Sequence, residues 1–247
     1  MARPAGAAAA AAAPLPLPDF GALLALPATP LLRSIAPAPF ASCAYVAAAL
    51  AAPDAARLAA AIDAAAAPAQ WVELRGRRLL QFGGQPLPGG MRDAAPLPPF
   101  LAAIAARLVA AGVFPAAFPP NHVLVNDYAC GEGILAHSDG PRYHPVVATL
   151  SLLDASVMRF SVLYGREAPG ERGGAVVGEL LLAAGSLVVT WGELYSRYAH
   201  AIAEERESVL GPHLWNPCEG AQAGDRFARE GRRLSVTIRH AFVEGAV

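Results

Sequence analysis

The segment LAHSDG at residues 135–140 places His137 and Asp139 two residues apart around Ser138. On an extended chain alternate side chains point to the same side. An imidazole and a carboxylate would then converge as two donors for a divalent metal ion. A pair of this kind arises by chance in about one comparable chain in five, so its meaning depends on what joins it. Upstream, the strand-like run VLVNDY sets Asn126 and Tyr128 at the same i, i+2 spacing, an amide and a phenol on one side. Near the other end, RLSVTIR puts Arg233, Ser235, Thr237 and Arg239 on one face and Leu234, Val236 and Ile238 on the other. That polar face could simply meet water. It also suits a cavity for a small carboxylate, because a guanidinium offers forked donors matched to two carboxylate oxygens.

Two donors leave a metal site incomplete. The remaining histidines are His122, His144, His200, His213 and His240. His144 stands beside a proline just past Asp139 and reads as a turn residue; His213 falls in a polar linker; His240 alternates with the arginine face. His200, in SRYAHAI after the apolar run SLVVTW, is the best third ligand, with a hydrogen-bonded core histidine as the alternative. Two imidazoles and one carboxylate with open positions is the set that non-haem iron(II) favours.

These residues need elements to carry them. The chain of 247 residues is long enough for one large domain. Helices are expected over 53–67, with a proline in the first turn and Leu58 and Ile62 four apart, and over 98–111, where Phe100, Leu101, Ile104 and Leu108 form one face. A short strand is expected around Phe40 to Val46. From Asn121 onward the runs NHVLVNDY, HPVVATLSLL, VMRFSVLYG, GELLLAAGSLVVTW and RRLSVTIRHAF are apolar or β-branched and broken by turn residues. The order predicts a mainly β fold, sandwich or barrel, braced by helices. Two linkers, 166–177 and 203–231, read as surface excursions. Residues 1–38, rich in alanine and proline, read as an unstructured tail, with a targeting segment as the alternative.

Between the helices lies WVELRGRRLLQFGGQPLPGGM. It carries Arg75, Arg77 and Arg78 among Trp71 and Phe82. It reads either as a solvated basic hairpin or as a mobile flap over 71–95 that meets substrate through Arg75, Arg77, Arg78 and Phe82, contacting phosphates and stacking on bases. The net charge of −1 argues against binding long nucleic acid by charge alone. Only 16% of residues are charged, against about 25% in an average soluble domain, and the 55% hydrophobic content fits a globular chain. Cys43, Cys130 and Cys218 are odd in number and widely spaced, which suggests neither a disulfide framework nor a structural zinc site and fits a reducing compartment. No apolar run is long enough to span a membrane.

The ordered set N-x-Y, H-x-D-G, a later histidine and R-x5-R resembles the AlkB family of iron(II)- and 2-oxoglutarate-dependent dioxygenases. The strings NHVLVNDY, GEGILAHSDGPRYHP, RRLSVTIR and RGRRLLQFGG are similar to its AlkB homolog 6 branch, over about Phe40 to Phe242. The resemblance implies a double-stranded β-helix, or jelly-roll, over 39–247. It implies His137, Asp139 and His200 as Fe(II) ligands, and Asn126, Tyr128, Arg233 and Arg239 as 2-oxoglutarate contacts. Ser235 stands where many relatives carry asparagine. The implied activity is O2-dependent oxidative demethylation of nucleic-acid bases; a short or single-stranded substrate would reconcile this with the near-neutral charge, since few phosphates need neutralising. The alternatives are a protein hydroxylase or demethylase, and a non-catalytic module that binds nucleic acid or protein. A monomer in cytoplasm or nucleus is the accompanying expectation.

Overall fold

The computed structural model describes residues 16–26, 35–36, 42–217 and 221–243. In chain order its strands are β1 (Cys43–Val46), β2 (Val72–Leu74), β3 (Arg77–Phe82), β4 (Gln85–Leu87), β5 (Gly90–Arg92), β6 (His122–Tyr128), β7 (Ile134–His137) and β8 (Val146–Leu153). They continue with β9 (Ser156–Val162), β10 (Val176–Leu182), β11 (Leu187–Trp191), β12 (Tyr198–Ile202), β13 (Glu207–Val209), β14 (Arg226–Ala228) and β15 (Arg233–Arg239). The helices are α1 (Phe20–Leu23), α2 (Ala52–Ala65), α3 (Pro99–Ala110) and α4 (Gly192–Ser196).

Seven strands form one antiparallel sheet in the order β1-β11-β8-β15-β6-β3-β2, and four form a second in the order β10-β9-β12-β7. The period of two decides how the larger sheet is used. Val123 and Val125, Ala148, Leu150 and Leu152, Leu187 and Val189, and Leu234, Val236 and Ile238 all pack into one core with α2 and α3 on the back of the sheet. Their neighbours in sequence face the smaller sheet. The helices dock there because each has one apolar stripe: Leu58 and Ile62 from α2, and Phe100, Leu101, Ile104 and Leu108 from α3. The expected jelly-roll, mainly β and braced by helices, is therefore the observed architecture.

Three expectations need correction. The tail expected over 1–38 lies partly outside the described residues, but Phe20 and Leu24 sit in the main core. Asp19 caps α1 by accepting from the Gly21 and Ala22 amides, and the Phe20 ring meets Phe100 edge-on at 6.4 Å. One capped turn with two large apolar side chains anchors a segment whose composition otherwise reads as linker. Next, the candidate flap over 71–95 is in part sheet: β2 pairs with β3, β3 hydrogen-bonds along β6 from Arg78 opposite Asp127 to Phe82 opposite Val123, and Phe82 packs on the core, while β4 and β5 form a hairpin of their own. Backbone pairing, invisible in composition, fixes it. Finally, the linker 203–231 is no pure surface excursion. Trp215 stacks on Phe160 at 5.1 Å, and a Cβ on Gly178 would lie 1.9 Å from its ring, so only glycine lets the indole lie on β10. Cys218 lies outside the described residues.

Phe20→Ala should lower stability by about 3–5 kcal/mol, the cost of emptying a phenyl site in a core. A shift in the denaturation midpoint measures it; an unchanged midpoint would return the segment to the status of a tail.

Candidate functional site

Between the two sheets lies a cavity of about 210 Å³. Arg233, Ser235, Thr237 and Arg239 of β15 line it, as do Asn126 and Tyr128 of β6, Thr149 of β8 and Thr190 of β11. From the smaller sheet come Met158 and Phe160 of β9 and His200 and Ile202 of β12, with His137 at the end of β7 and Asp139 just beyond it. A volume below the roughly 300–1,000 Å³ of drug-sized pockets suits a small molecule.

The register of the smaller sheet joins residues 63 positions apart. His200 lies directly opposite His137 in the β12–β7 ladder, and the ring centroids are 4.4 Å apart. Asp139 shares their corner, its Oδ2 4.0 Å from His200 Nε2. Its Oδ1 accepts from Arg239 Nη1 at 2.5 Å. The carboxylate is thus held by one oxygen and presents the other toward the imidazoles. Burial is the largest single influence and raises its pKa, but the Arg239 guanidinium together with the His200 and His137 imidazoles outweighs it and holds the group below the ordinary carboxylate range. Burial pushes His200 down to about 4, so at neutral pH its ring keeps a lone pair for a ligand. His137 Nδ1 meets the Leu135 carbonyl at 2.8 Å. That bond fixes a ring orientation in which Nε2 is the available donor.

Among the described residues no group of three or more His, Cys, Asp or Glu side chains is closed tightly enough to hold a metal ion as it stands. Two donors about 2.1 Å from a shared ion at right angles would be about 3 Å apart. The 4.0 Å gap between Asp139 and His200 is about 1 Å wider. The donor types fit a nitrogen–nitrogen–oxygen metal site, and closing it requires a small inward movement of side chains already on one corner.

The opposite wall is basic and under-satisfied. Arg233 is buried; its Nη2 donates to Ser151 Oγ at 3.1 Å, while among the described residues Nε and Nη1 have no hydrogen-bond partner within ordinary geometry. Among the described residues Arg239 Nε likewise has no hydrogen-bond partner. Burial pushes the Arg233 pKa down to about 10, still protonated at neutral pH. Unpaired buried donors are costly unless a ligand meets them, and these two arginines fit a small anion with more than one carboxylate. Tyr128 lies beside Arg233, whose Cζ is 5.4 Å from the phenol ring centroid, and burial raises the Tyr128 pKa. Ser235 stands in register between Asn126 and Ser151.

The arginines expected to meet substrate separate. Arg77 lines the cavity and donates through Nε to Asn126 Oδ1 at 2.9 Å. Arg75 is exposed and makes no hydrogen bond or ion pair among the described residues; with Arg77, Leu135, His137 and Glu204 it borders an outer vestibule of about 420 Å³. Arg78 points to the back of the sheet. Its Nε pairs with Asp127 at 2.7 Å, Trp71 stacks on it, and Arg232 joins Asp127 to Asp63 of α2. Phe82 belongs to the core. Alternation along β3 decides this: adjacent residues in a strand cannot share a face. Sequence reasoning missed Thr149, Thr190 and Tyr143, which lines the cavity and stacks on Arg239 at 4.0 Å. The two threonines could have been found by extending the same alternation to β8 and β11; Tyr143 lies in a loop without periodicity.

The model of the 2OG-Fe(II) oxygenase superfamily matches residues 89–239. The probable RNA/DNA demethylase ALKBH6 of Danio rerio is 39% identical over 175 residues, covering 69% of this chain and 74% of that protein. The solved structure of OsALKBH1 overlays 80% of this chain and 97% of its own at a TM-score of 0.52 and 15% identity, a likeness of fold.

The unpaired donors make Arg233 a stability liability in the ligand-free protein. Arg233→Met, which keeps volume and removes them, should stabilise the ligand-free protein by about 1–3 kcal/mol, read from chemical denaturation. A destabilised variant would show that Arg233 is satisfied by contacts not apparent in its geometry.

Proposed function

Because this chain belongs to the 2OG-Fe(II) oxygenase superfamily and resembles ALKBH6 within its AlkB group, we propose that it is a dioxygenase that demethylates nucleic-acid bases. The observation that carries the reading is the meeting, in one small cavity, of a His-Asp-His corner and an arginine wall. In this reading His137, Asp139 and His200 hold Fe(II). Arg233 and Arg239 take the carboxylates of 2-oxoglutarate, with Asn126, Tyr128 and Ser235 as neutral partners. When bound, Fe(II), 2-oxoglutarate and O2 would supply the oxidation of an N-methyl group, whose hydroxylated product would lose formaldehyde.

The protein's own contribution is positional. Arg239 holds one oxygen of Asp139 and keeps it ionised, while burial keeps His200 neutral. Met158, Phe160 and Ile202 give the cavity apolar walls that restrict water. The vestibule opens beside His137, so a group reaching in through it would arrive at the His-Asp-His corner. Arg75, free at its rim, is the residue suited to a phosphate of the flanking nucleotide. One arginine rather than a basic field agrees with a net charge of −1 and with a short or single-stranded substrate. The same near-neutral charge, and Glu204 on the vestibule wall, favour a methylated protein side chain as the second reading.

Succinate release with Fe(II) and 2-oxoglutarate, with and without methylated oligonucleotides and peptides, tests these readings. Stimulation by an oligonucleotide is expected; stimulation by peptides alone selects the second reading, and no succinate under any condition rejects catalysis. His137→Ala should abolish release. Arg233→Ala or Arg239→Ala should raise the 2-oxoglutarate requirement at least about tenfold, since stranding one charge of a buried pair costs about 3–5 kcal/mol. An unchanged requirement in both would dismiss the arginine wall as the cosubstrate site. Arg75→Ala should raise KM for an oligonucleotide and leave the 2-oxoglutarate requirement unchanged; an unaltered KM removes Arg75 from the substrate path.

A further inference from the structure

We propose that Tyr195 is a positioning residue for the metal corner, its hydroxyl stapling the loop after Asp139 to the segment that leads into His200. The inference rests on the reading of His137, Asp139 and His200 as iron ligands. Tyr195 lies on α4, the short helix between β11 and β12, five residues before His200. Its hydroxyl donates to the Gly140 carbonyl, one residue past Asp139, and also approaches the Tyr143 carbonyl at 3.2 Å. A single phenol proton is shared between two carbonyls of the same loop. The two ligand-bearing segments, distant in sequence, are thereby tied at a second point besides the β7–β12 ladder.

The loop has little else to hold it at this point. Gly140 has φ +80°, and no atom lies within 4 Å of where its Cβ would be, so the turn stands in open space. Farther along, backbone bonds from His144 N to the His240 carbonyl and from Phe242 N to the Arg142 carbonyl secure the loop. Among the described residues, the Tyr195 hydroxyl on Gly140 and the Arg239 grip on Asp139 are the side-chain hydrogen bonds that hold residues 138–141. A second route leads to the same carboxylate. Tyr195 packs against the small cluster of Met91, Tyr143 and Ala241. The Tyr143 ring lies 4.0 Å under the Arg239 guanidinium, which in turn grips Asp139 Oδ1. Moving the Tyr143 backbone would therefore move the platform beneath the group that orients Asp139. Partners one step removed from a metal set how well its ligands are aimed, and their loss commonly weakens metal binding by about 10- to 100-fold.

Tyr195→Phe tests this, because it deletes one oxygen and keeps the ring packed. Co(II), whose visible absorption reports ligand geometry, is the probe, titrated into the metal-free protein without 2-oxoglutarate. Tyr195→Phe should bind Co(II) about tenfold more weakly than the unaltered protein and show a changed absorption band, with a thermal midpoint close to the original. Co(II) binding by Tyr195→Phe with unaltered affinity and band, whatever its melting temperature, overturns the proposal and leaves the ligand assignment standing. His200→Ala is the separate check on that assignment: if it binds Co(II) as the unaltered protein does, the ligand reading fails and the role of Tyr195 fails with it.

Discussion

All seven residues of β15 are buried, and two of them are arginines at its ends. A guanidinium removed from water is tolerable only where partners meet it, and that constraint organises the interior. One face of the strand carries Leu234, Val236 and Ile238 into the helix-backed core; the other carries Arg233 and Arg239 into the space between the sheets. Arg239 is neutralised by Asp139 and stacked on Tyr143, while among the described residues two nitrogens of Arg233 have no hydrogen-bond partner. The sandwich cannot close fully on such a strand. A polar cavity is left where an ordinary jelly-roll would continue its apolar core.

The cavity has a chemical polarity that follows from its two walls. The larger sheet supplies the cations and hydroxyls, with Leu124, Val147 and Val188 adding apolar surface; the smaller supplies imidazoles and more apolar surface. Asp139 stands at the junction, linked to Arg239 across the cavity and to the His137–His200 pair on its own side. One carboxylate thus couples the two walls. In the proposed reading, a metal and a dicarboxylate would need adjacent sites of opposite character, which this arrangement offers.

Around this centre the chain uses ion pairs for attachment. Arg232 binds Asp63 and Asp127 and so fastens α2 to the sheet, and Arg78 adds to the same group. On the smaller sheet Arg159 joins Glu179 and Glu205, and Arg229 donates to the carbonyls of Ala203, Glu205 and Glu132, pinning the 203–231 segment. These arginines look alike in sequence to those that face the cavity. Their positions in a strand or loop, not their type, separate scaffold from site.

The strand pattern of the sequence was enough to assign β15, because its period of two forces Arg233 and Arg239 onto one side whatever the surrounding fold. The same local rule set Asn126 beside Tyr128. The helices over 53–67 and 98–111 were legible from their apolar stripes and are observed within two residues at either end. The partner of the His137–Asp139 pair was a choice among five histidines, since no local rule measures a distance between strands. The β12–β7 ladder sets His200 against His137, which supports that choice. Likewise only backbone pairing with β6 made residues 77–82 of the expected flap part of the sheet, sent Arg78 to the far side and left Arg77 at the cavity. The chain by itself determined which side of each strand a residue occupies, because that depends on nearest neighbours. Which strands lie opposite one another, and so which side chains meet, was decided by hydrogen-bond register and packing between segments far apart in sequence.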